Sequence, residues 1–111
     1  MADLPLEISV TDAARAMSAE DAPLLLDCRT PDEHATSRIA GAILIPMQDL
    51  PARIGELAGH EPRRIIVHCH HGMRSLRVAT WLRERGFRSA QSMAGGIDAW
   101  SDGVDPSVPR Y

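Results

Sequence analysis

The sequence is poor in cysteine, in net charge and in long apolar segments. Two of its 111 residues are cysteines, Cys28 and Cys69, too few for the disulfide framework of a small secreted domain, so the simplest expected compartment is a reducing cytoplasm. A net charge of -3 gives no indication of a nucleic-acid or membrane partner. No apolar run approaches the length of a bilayer-spanning helix, and we expect no signal peptide before the domain.

The hydrophobic content of 44% and the chain length predict one compact domain over residues 1–111, with a core at about 17–103 and an irregular tail at 104–111. Strands are predicted at residues 6–10, 24–26, 42–45, 65–68 and 89–93. Helices are predicted at residues 11–17, 30–37, 50–57, 75–86 and 97–101. Strands that alternate with helices favour an α/β fold with a mainly parallel sheet of about five strands and helices on both faces.

The most informative stretch is a buried strand at residues 65–68 that ends at Cys69. A short loop with Gly72 and Arg74 follows, and Ser75 opens a helical pattern. This order directs loop N–H groups and a helix N-terminus at the cysteine sulfur, which lowers the pKa of a thiol. Arg74 adds a fixed charge and a forked set of donors. We interpret the stretch as a reactive, partly exposed cysteine in an anion site; the alternative is an inert cysteine buried at a strand end.

A second polar group follows the strand at 24–26, at the same predicted edge of the sheet. Asp27 and Glu33 flank Arg29 closely enough to form an ion-pair cluster that braces the loop. Cys28 is predicted to belong to the core; its place at this edge is the single argument for a resolving-thiol role. His34 is interpreted as a solvated side chain.

The run from His68 to His71 contains a cysteine and three histidines, which raises the question of a metal site. Adjacent residues of a strand point alternately away from each other. The sequence holds no second pair of ligands at zinc-like spacing. We therefore expect no metal.

Four stretches, in this order, resemble the motifs of single-domain rhodanese-like sulfurtransferases, over a match that runs from about Met17 to the tail. They are residues 26–34 (Leu-Asp-Cys-Arg-Thr-Pro-Asp-Glu-His), 39–46 (Ile-Ala-Gly-Ala-Ile-Leu-Ile-Pro), 68–75 (His-Cys-His-His-Gly-Met-Arg-Ser) and 93–100 (Met-Ala-Gly-Gly-Ile-Asp-Ala-Trp). Cys28 departs from the family's usual Val, and Ser37-Arg38 from its usual Gly-His. Residues 105–111 resemble the end of rhodanese domains fused to adenylyltransferases that activate ubiquitin-like proteins.

The resemblance implies a persulfide mechanism without a cofactor. Cys69 would take the outer sulfur of thiosulfate or another sulfane donor and pass it to cyanide, a thiol or a sulfur-carrier protein. Arg74 would share catalysis by pairing with the oxygens of the departing sulfite. The substrate-binding residues would be His70, His71, Gly72, Met73 and Ser75.

Three alternative functions share some of these sequence features. A protein-to-protein sulfur-relay carrier with little thiosulfate turnover would need the same residues. A cysteine-dependent phosphatase or arsenate reductase also uses a Cys-to-Arg loop, but four residues separate Cys69 from Arg74, which is one fewer than such loops need. A non-catalytic binding module is disfavoured because Cys69 is present.

Overall fold

A computed structural model describes residues 4–111. Its five strands form one parallel sheet in the order β1-β5-β4-β2-β3. The strands are β1 (Glu7–Ile8), β2 (Leu24–Asp27), β3 (Ile43–Leu44), β4 (Ile65–His68) and β5 (Ala90–Met93). The predicted α/β class and the parallel five-stranded sheet are confirmed, and β2 and β4 are neighbours in register from Leu24–Ile65 to Asp27–His68.

The described residues form five α-helices, of which four connect successive strands and the fifth follows β5. They are α1 (Val10–Met17), α2 (Pro31–Thr36), α3 (Leu50–Arg53), α4 (Met73–Glu84) and α5 (Gly96–Gly103). The capping box that the Thr30–Glu33 spacing predicts is present: the side chains of Thr30 and Glu33 each accept a hydrogen bond from the other residue's backbone N–H. Pro31 lies in the first turn of α2, as predicted.

Three helix predictions differ from the structure in their cap, their continuity or their start. The first helix begins at Val10 and is capped by Ser9, whose hydroxyl accepts the Asp12 N–H, and not by Thr11. The predicted helix over residues 50–57 is divided into α3 and a 3-10 turn at Ile54–Leu57, and another 3-10 turn at Met47–Asp49 precedes it. The fourth helix begins at Met73, two residues before the predicted start.

Alternate residues of the central strands pack on opposite faces of the sheet, as the two-residue period of a strand requires. Leu26 and Val67 lie in the cluster that includes Val78 and Leu82 of α4. The other cluster contains Leu25 and Ile66 of the sheet. It is completed from α1 and α5 by Ala13, Ile97 and Trp100. Helices therefore cover both faces, as predicted.

The carboxyl ends of β2 and β4 lie side by side, which is where ligands bind in open parallel sheets. Cys28 and Cys69 follow these two ends directly. After α5 the chain turns back, and Val108 packs into the cluster with Trp100. None of the helices within residues 4–111 is long and apolar enough to cross a membrane.

Candidate functional site: a cysteine cradle at the sheet edge

The sulfur of Cys69 is held by N–H groups of the loop that follows β4. The N–H groups of Gly72 and Ser75 donate to Sγ at 3.1 and 3.3 Å. Gly72 caps α4 with φ 106°, a left-handed conformation that glycine adopts without strain. Its turn brings the first residues of α4 back over the sulfur. The loop thus presents donors to a sulfur anion, the arrangement that the sequence predicts.

The loop carbonyls point elsewhere because the start of α5 binds them. The Ile97 N–H donates to the Cys69 carbonyl oxygen at 2.9 Å, and the Asp98 N–H donates to that of His70 at 3.1 Å. Gly96 permits this contact: at φ 61°, any Cβ on this residue would collide with both carbonyl oxygens. The contact between α5 and the loop therefore keeps acceptor oxygens away from the sulfur.

Two buried serines extend the cradle. The Ser75 hydroxyl lies 3.4 Å from Cys69 Sγ and 2.7 Å from the Ser92 hydroxyl. Ser92 also lies 3.5 Å from the Gly72 carbonyl oxygen. Ser92 is a site residue that the sequence prediction missed, because its place beside the loop follows from the pairing of β4 with β5, where it faces Val67.

These contacts lower the pKa of Cys69 to about 4. The largest contribution is the hydrogen bond from the Cys28 thiol, and donors from Ser75 and Gly72 add to it against the opposing effect of burial. The same coupling raises the pKa of Cys28, which keeps its proton. At neutral pH the pair is therefore a Cys69 thiolate beside a neutral Cys28 thiol.

The expected partial exposure of the cysteine is wrong. Cys69 is 1% exposed, because the loop and α5 close over it. Along the loop, His71 is exposed and Met73 is 76% exposed, whereas Ser75 is buried. Of the residues predicted to bind substrate, Gly72 and Ser75 approach the sulfur with their N–H groups, while the Met73 side chain points to solvent.

Arg29 makes a buried ion pair with Asp27. Its Nε and Nη2 atoms donate to the two carboxylate oxygens at 2.9 and 2.7 Å, and both side chains are fully buried. Nη2 also donates to the Ser37 carbonyl oxygen at 2.6 Å, and Nη1 donates to the Tyr111 hydroxyl at 2.7 Å. The guanidinium thereby joins the end of β2 to the end of α2 and to the tail.

Glu33 pairs with Arg74 and not with Arg29. The predicted cluster of Asp27, Arg29 and Glu33 is therefore two ion pairs, Asp27–Arg29 and Glu33–Arg74. Arg74 Nη1 and Nη2 donate to the Glu33 oxygens at 2.7 and 2.9 Å. Arg29 donates to the carbonyl oxygen of Glu33, at 3.4 Å. The Tyr111 hydroxyl donates to the Glu33 carboxylate at 2.7 Å. The pair with Arg74 connects α2 to the active loop.

The interpretation of His34 as solvated is wrong. Its Nδ1 atom lies 2.8 Å from Asp27 Oδ2, and its side chain is 18% exposed. His68 Nε2 lies 3.9 Å from the same oxygen. Burial lowers the pKa of His68 to about 4, so this ring is neutral, and the charge of Asp27 is balanced by Arg29.

The histidines of the loop lie side by side, contrary to the expectation that neighbours point apart. β4 ends at His68, so His70 and His71 are in the loop, and their rings stack at 3.9 Å. The Tyr111 ring stacks on the other side of His70, also at 3.9 Å. Ligand atoms of both histidines and Asp98 lie within 4.8 Å of one another, but Arg110 already binds both Asp98 oxygens.

Comparison with known proteins identifies the family and the fold of the chain. The model of the rhodanese-like domain family matches residues 9–102. A sulfurtransferase from Allochromatium vinosum is 30% identical over 86% of the chain, which spans 87% of that protein. An adenylyltransferase and sulfurtransferase, MOCS3, from Arabidopsis thaliana is 30% identical over 97% of the chain, which spans 27% of it. The crystal structure of a rhodanese-related protein from Thermoplasma volcanium is 27% identical, with a TM-score of 0.81 over 96% of this chain and 100% of that one.

Proposed function

The chain belongs to the rhodanese-like domain family, and from this premise we propose that it is a sulfurtransferase that moves a sulfane sulfur through a persulfide on Cys69. The observation that supports the proposal is a cysteine sulfur held by two backbone N–H groups and a hydroxyl. A thiolate is the nucleophilic form of cysteine, and these donors stabilise it. The relatives that carry sulfurtransferase in their names support the same reaction class.

In the first step the Cys69 thiolate attacks the outer sulfur of thiosulfate. A bond forms between Sγ and this sulfur, the sulfur–sulfur bond of thiosulfate breaks, and sulfite leaves with the electron pair. In the second step a thiolate or cyanide attacks the outer sulfur of the persulfide, and Cys69 leaves as the thiolate. The N–H groups of Gly72 and Ser75 bind the same sulfur anion at the beginning and end of the cycle, so they need no rearrangement.

We propose that Arg74 binds the oxygens of the donor and of the departing sulfite. A guanidinium has five N–H donors in a fixed fork, and Arg74 gives one from each terminal nitrogen to Glu33. Donors beyond these two can bind the oxygens of an anion. Glu33 would then hold the fork in place at the entrance to the loop.

The acceptor in the proposal is a small thiol or a sulfur-carrier protein. Similarity to a protein named as an adenylyltransferase and sulfurtransferase supports a carrier. The enclosure of Cys69 favours an acceptor with a slender attacking group, since that group must reach the outer sulfur of the persulfide. Because the reaction needs a free Cys69 thiol, the proposal includes a reducing compartment such as the cytoplasm.

Turnover with thiosulfate and cyanide tests the proposal, with thiocyanate as the measured product. Cys69→Ser should abolish turnover, because its hydroxyl forms no persulfide. Cys28→Ser should keep most of it, since excess cyanide removes the sulfur directly. Arg74→Ala should slow sulfite release while some persulfide still forms on the remaining N–H donors.

Intact mass separates the remaining functions. The reduced Cys28→Ser chain should gain the mass of one sulfur atom with thiosulfate. Gain from a persulfide donor but not from thiosulfate would indicate a sulfur-relay carrier. If neither donor adds sulfur and the chain instead hydrolyses a phosphomonoester in a Cys69-dependent way, the sulfurtransferase proposal is wrong.

A further inference from the structure

The two cysteines directly follow the ends of two adjacent strands. β2 and β4 pair in parallel, with Leu26 opposite Val67 and Asp27 opposite His68. The Cys28 N–H continues this ladder by donating to the His68 carbonyl oxygen at 3.2 Å. The next pair in the same register is Cys28 beside Cys69.

Both side chains point to the same face of the sheet. Cys28 and Cys69 belong to one core cluster together with Leu26 and Val67, two positions earlier on each strand. Each cysteine is 1% exposed. Neighbouring strands lie about 4.8 Å apart, and disulfides join Cα atoms separated by about 4.4–6.8 Å. The register therefore places the two Cα atoms at about the separation that a disulfide spans.

The Cys28 thiol is directed at polar partners of the site. It donates to the His68 carbonyl oxygen at 3.5 Å, and its interaction with the Cys69 sulfur raises the pKa of Cys28. The transfer steps described above form and break no bond to the Cys28 sulfur.

We propose that Cys28 is a resolving thiol that discharges the Cys69 persulfide as hydrosulfide and leaves a Cys28–Cys69 disulfide. The inference rests on the proposed function, because it requires the persulfide. It adds an activity, the release of sulfane sulfur in reduced form without an external acceptor.

The step balances within the chain. The Cys28 sulfur, as thiolate, attacks the inner sulfur of the persulfide, which is Cys69 Sγ. The Cys28–Cys69 bond forms, the bond between the inner and outer sulfurs breaks, and the outer sulfur leaves as hydrosulfide with the electron pair and the released proton. Two cysteine sulfurs are oxidised to a disulfide while the sulfane sulfur is reduced. An external dithiol then restores both thiols by exchange.

Formation of the persulfide itself prepares Cys28 for this attack. In the resting site the charge of the Cys69 thiolate and its hydrogen bond with Cys28 keep the Cys28 proton in place. Once Sγ is bonded to the outer sulfur, Sγ no longer carries the negative charge. That charge then no longer raises the pKa of Cys28. The Gly72 and Ser75 N–H groups donate to Cys69 Sγ, the inner sulfur that Cys28 attacks.

The test uses the reduced full chain with thiosulfate in oxygen-free buffer, with no cyanide or thiol present. The wild type should release one equivalent of hydrosulfide per chain and end at the mass of the intact protein less two hydrogen atoms. Cys28→Ser should release no hydrosulfide above the blank and should keep the added sulfur. Cys28→Val provides a second variant of different polarity, should the serine disturb folding.

The outcomes separate the two proposals. Sulfur gain in Cys28→Ser and persistent sulfur gain in the wild type, with no hydrosulfide, would overturn the resolving role and leave the sulfurtransferase intact. No sulfur gain in any of these chains would instead overturn the sulfurtransferase itself. A wild type incubated without thiosulfate must stay reduced; a disulfide there would show oxidation without a persulfide and would also contradict the inference.

Discussion

At the scale of single residues, the chemistry of the site depends on a few hydrogen-bond donors around the Cys69 sulfur. Cys69 is buried, which by itself favours the neutral thiol. The hydrogen bonds from Cys28, Ser75 and Gly72 outweigh this effect and stabilise the anion. The Cys69 sulfur is therefore in the ionised, nucleophilic form of cysteine although it is buried.

The first prediction concerns the pH dependence of this thiolate. Because the pKa of Cys69 is lowered to about 4, the anion is present at neutral pH and is lost as the pH falls through that value. The ultraviolet absorbance of the thiolate measures the titration, and circular dichroism reports whether the chain stays folded. Cys28 does not interfere, since its pKa is raised.

Ser75→Ala removes a hydroxyl donor, so the midpoint of the titration should move to higher pH. Ser18→Ala is the control, because Ser18 lies at the exposed end of α1 and bonds to Ala14. A thiolate signal that develops only near the ordinary thiol pKa of about 8.5 would contradict the cradle.

At the scale of elements, the active loop is shaped by α5 as much as by its own residues. The first turn of α5 binds the carbonyl oxygens of Cys69 and His70, which leaves the loop N–H groups directed at the sulfur. Gly96 makes this approach possible. The cradle is therefore a product of two elements that are separated along the chain by α4 and β5.

Gly96→Ala tests this contact. The new Cβ would collide with both carbonyl oxygens, and φ 61° is unfavourable for alanine. We expect a loss of more than about 1 kcal/mol in the free energy of unfolding, together with slower transfer of sulfur. Denaturant titration and thiocyanate production measure the two effects.

Gly55→Ala is the matched control, since a Cβ at Gly55 meets nothing within 4 Å. It should leave both quantities nearly unchanged. If Gly96→Ala behaves like Gly55→Ala, the contact with α5 does not determine the shape of the loop.

At the scale of the whole molecule, Arg29 connects parts that are distant in sequence. It pairs with Asp27 at the end of β2, binds the Ser37 carbonyl oxygen after α2, and donates to Tyr111 in the tail. Tyr111 in turn donates to Glu33, which holds Arg74. One buried guanidinium thus joins the tail, the second helix and, through Glu33, the active loop.

Arg29→Ala should destabilise the fold by about 3–5 kcal/mol, the cost of leaving one partner of a buried ion pair uncompensated. The melting temperature measures the loss. The reason is that Asp27 would keep its buried charge without the guanidinium that neutralises it.

Arg53→Ala serves as the control, because Arg53 pairs with Glu56 on the surface, where ion pairs contribute little. Its melting temperature should stay close to that of the wild type. Equal melting temperatures for the wild type and Arg29→Ala would show that Arg29 does not hold these elements together.

The features that the sequence determined by itself are local in the chain. A buried strand, a cysteine, a short loop and a helix follow one another within residues 65–84, so the period of the apolar residues and the position of Gly72 predict the cradle. The capping box of Thr30 and Glu33 and the parallel α/β class are predictable for the same reason. The capping box depends on hydrogen bonds within one turn, and the fold class depends on the period of the apolar residues and the alternation of strands and helices along the chain.

Only the tertiary structure decided which distant side chains meet. The pairing of β2 with β4 brings Cys28 beside Cys69, and that of β4 with β5 brings Ser92 to Ser75. The return of the tail places Tyr111 on Glu33, which pairs with Arg74 instead of Arg29. Strand order and the path of the tail depend on packing of the whole core. Spacing along the chain carries no record of those contacts.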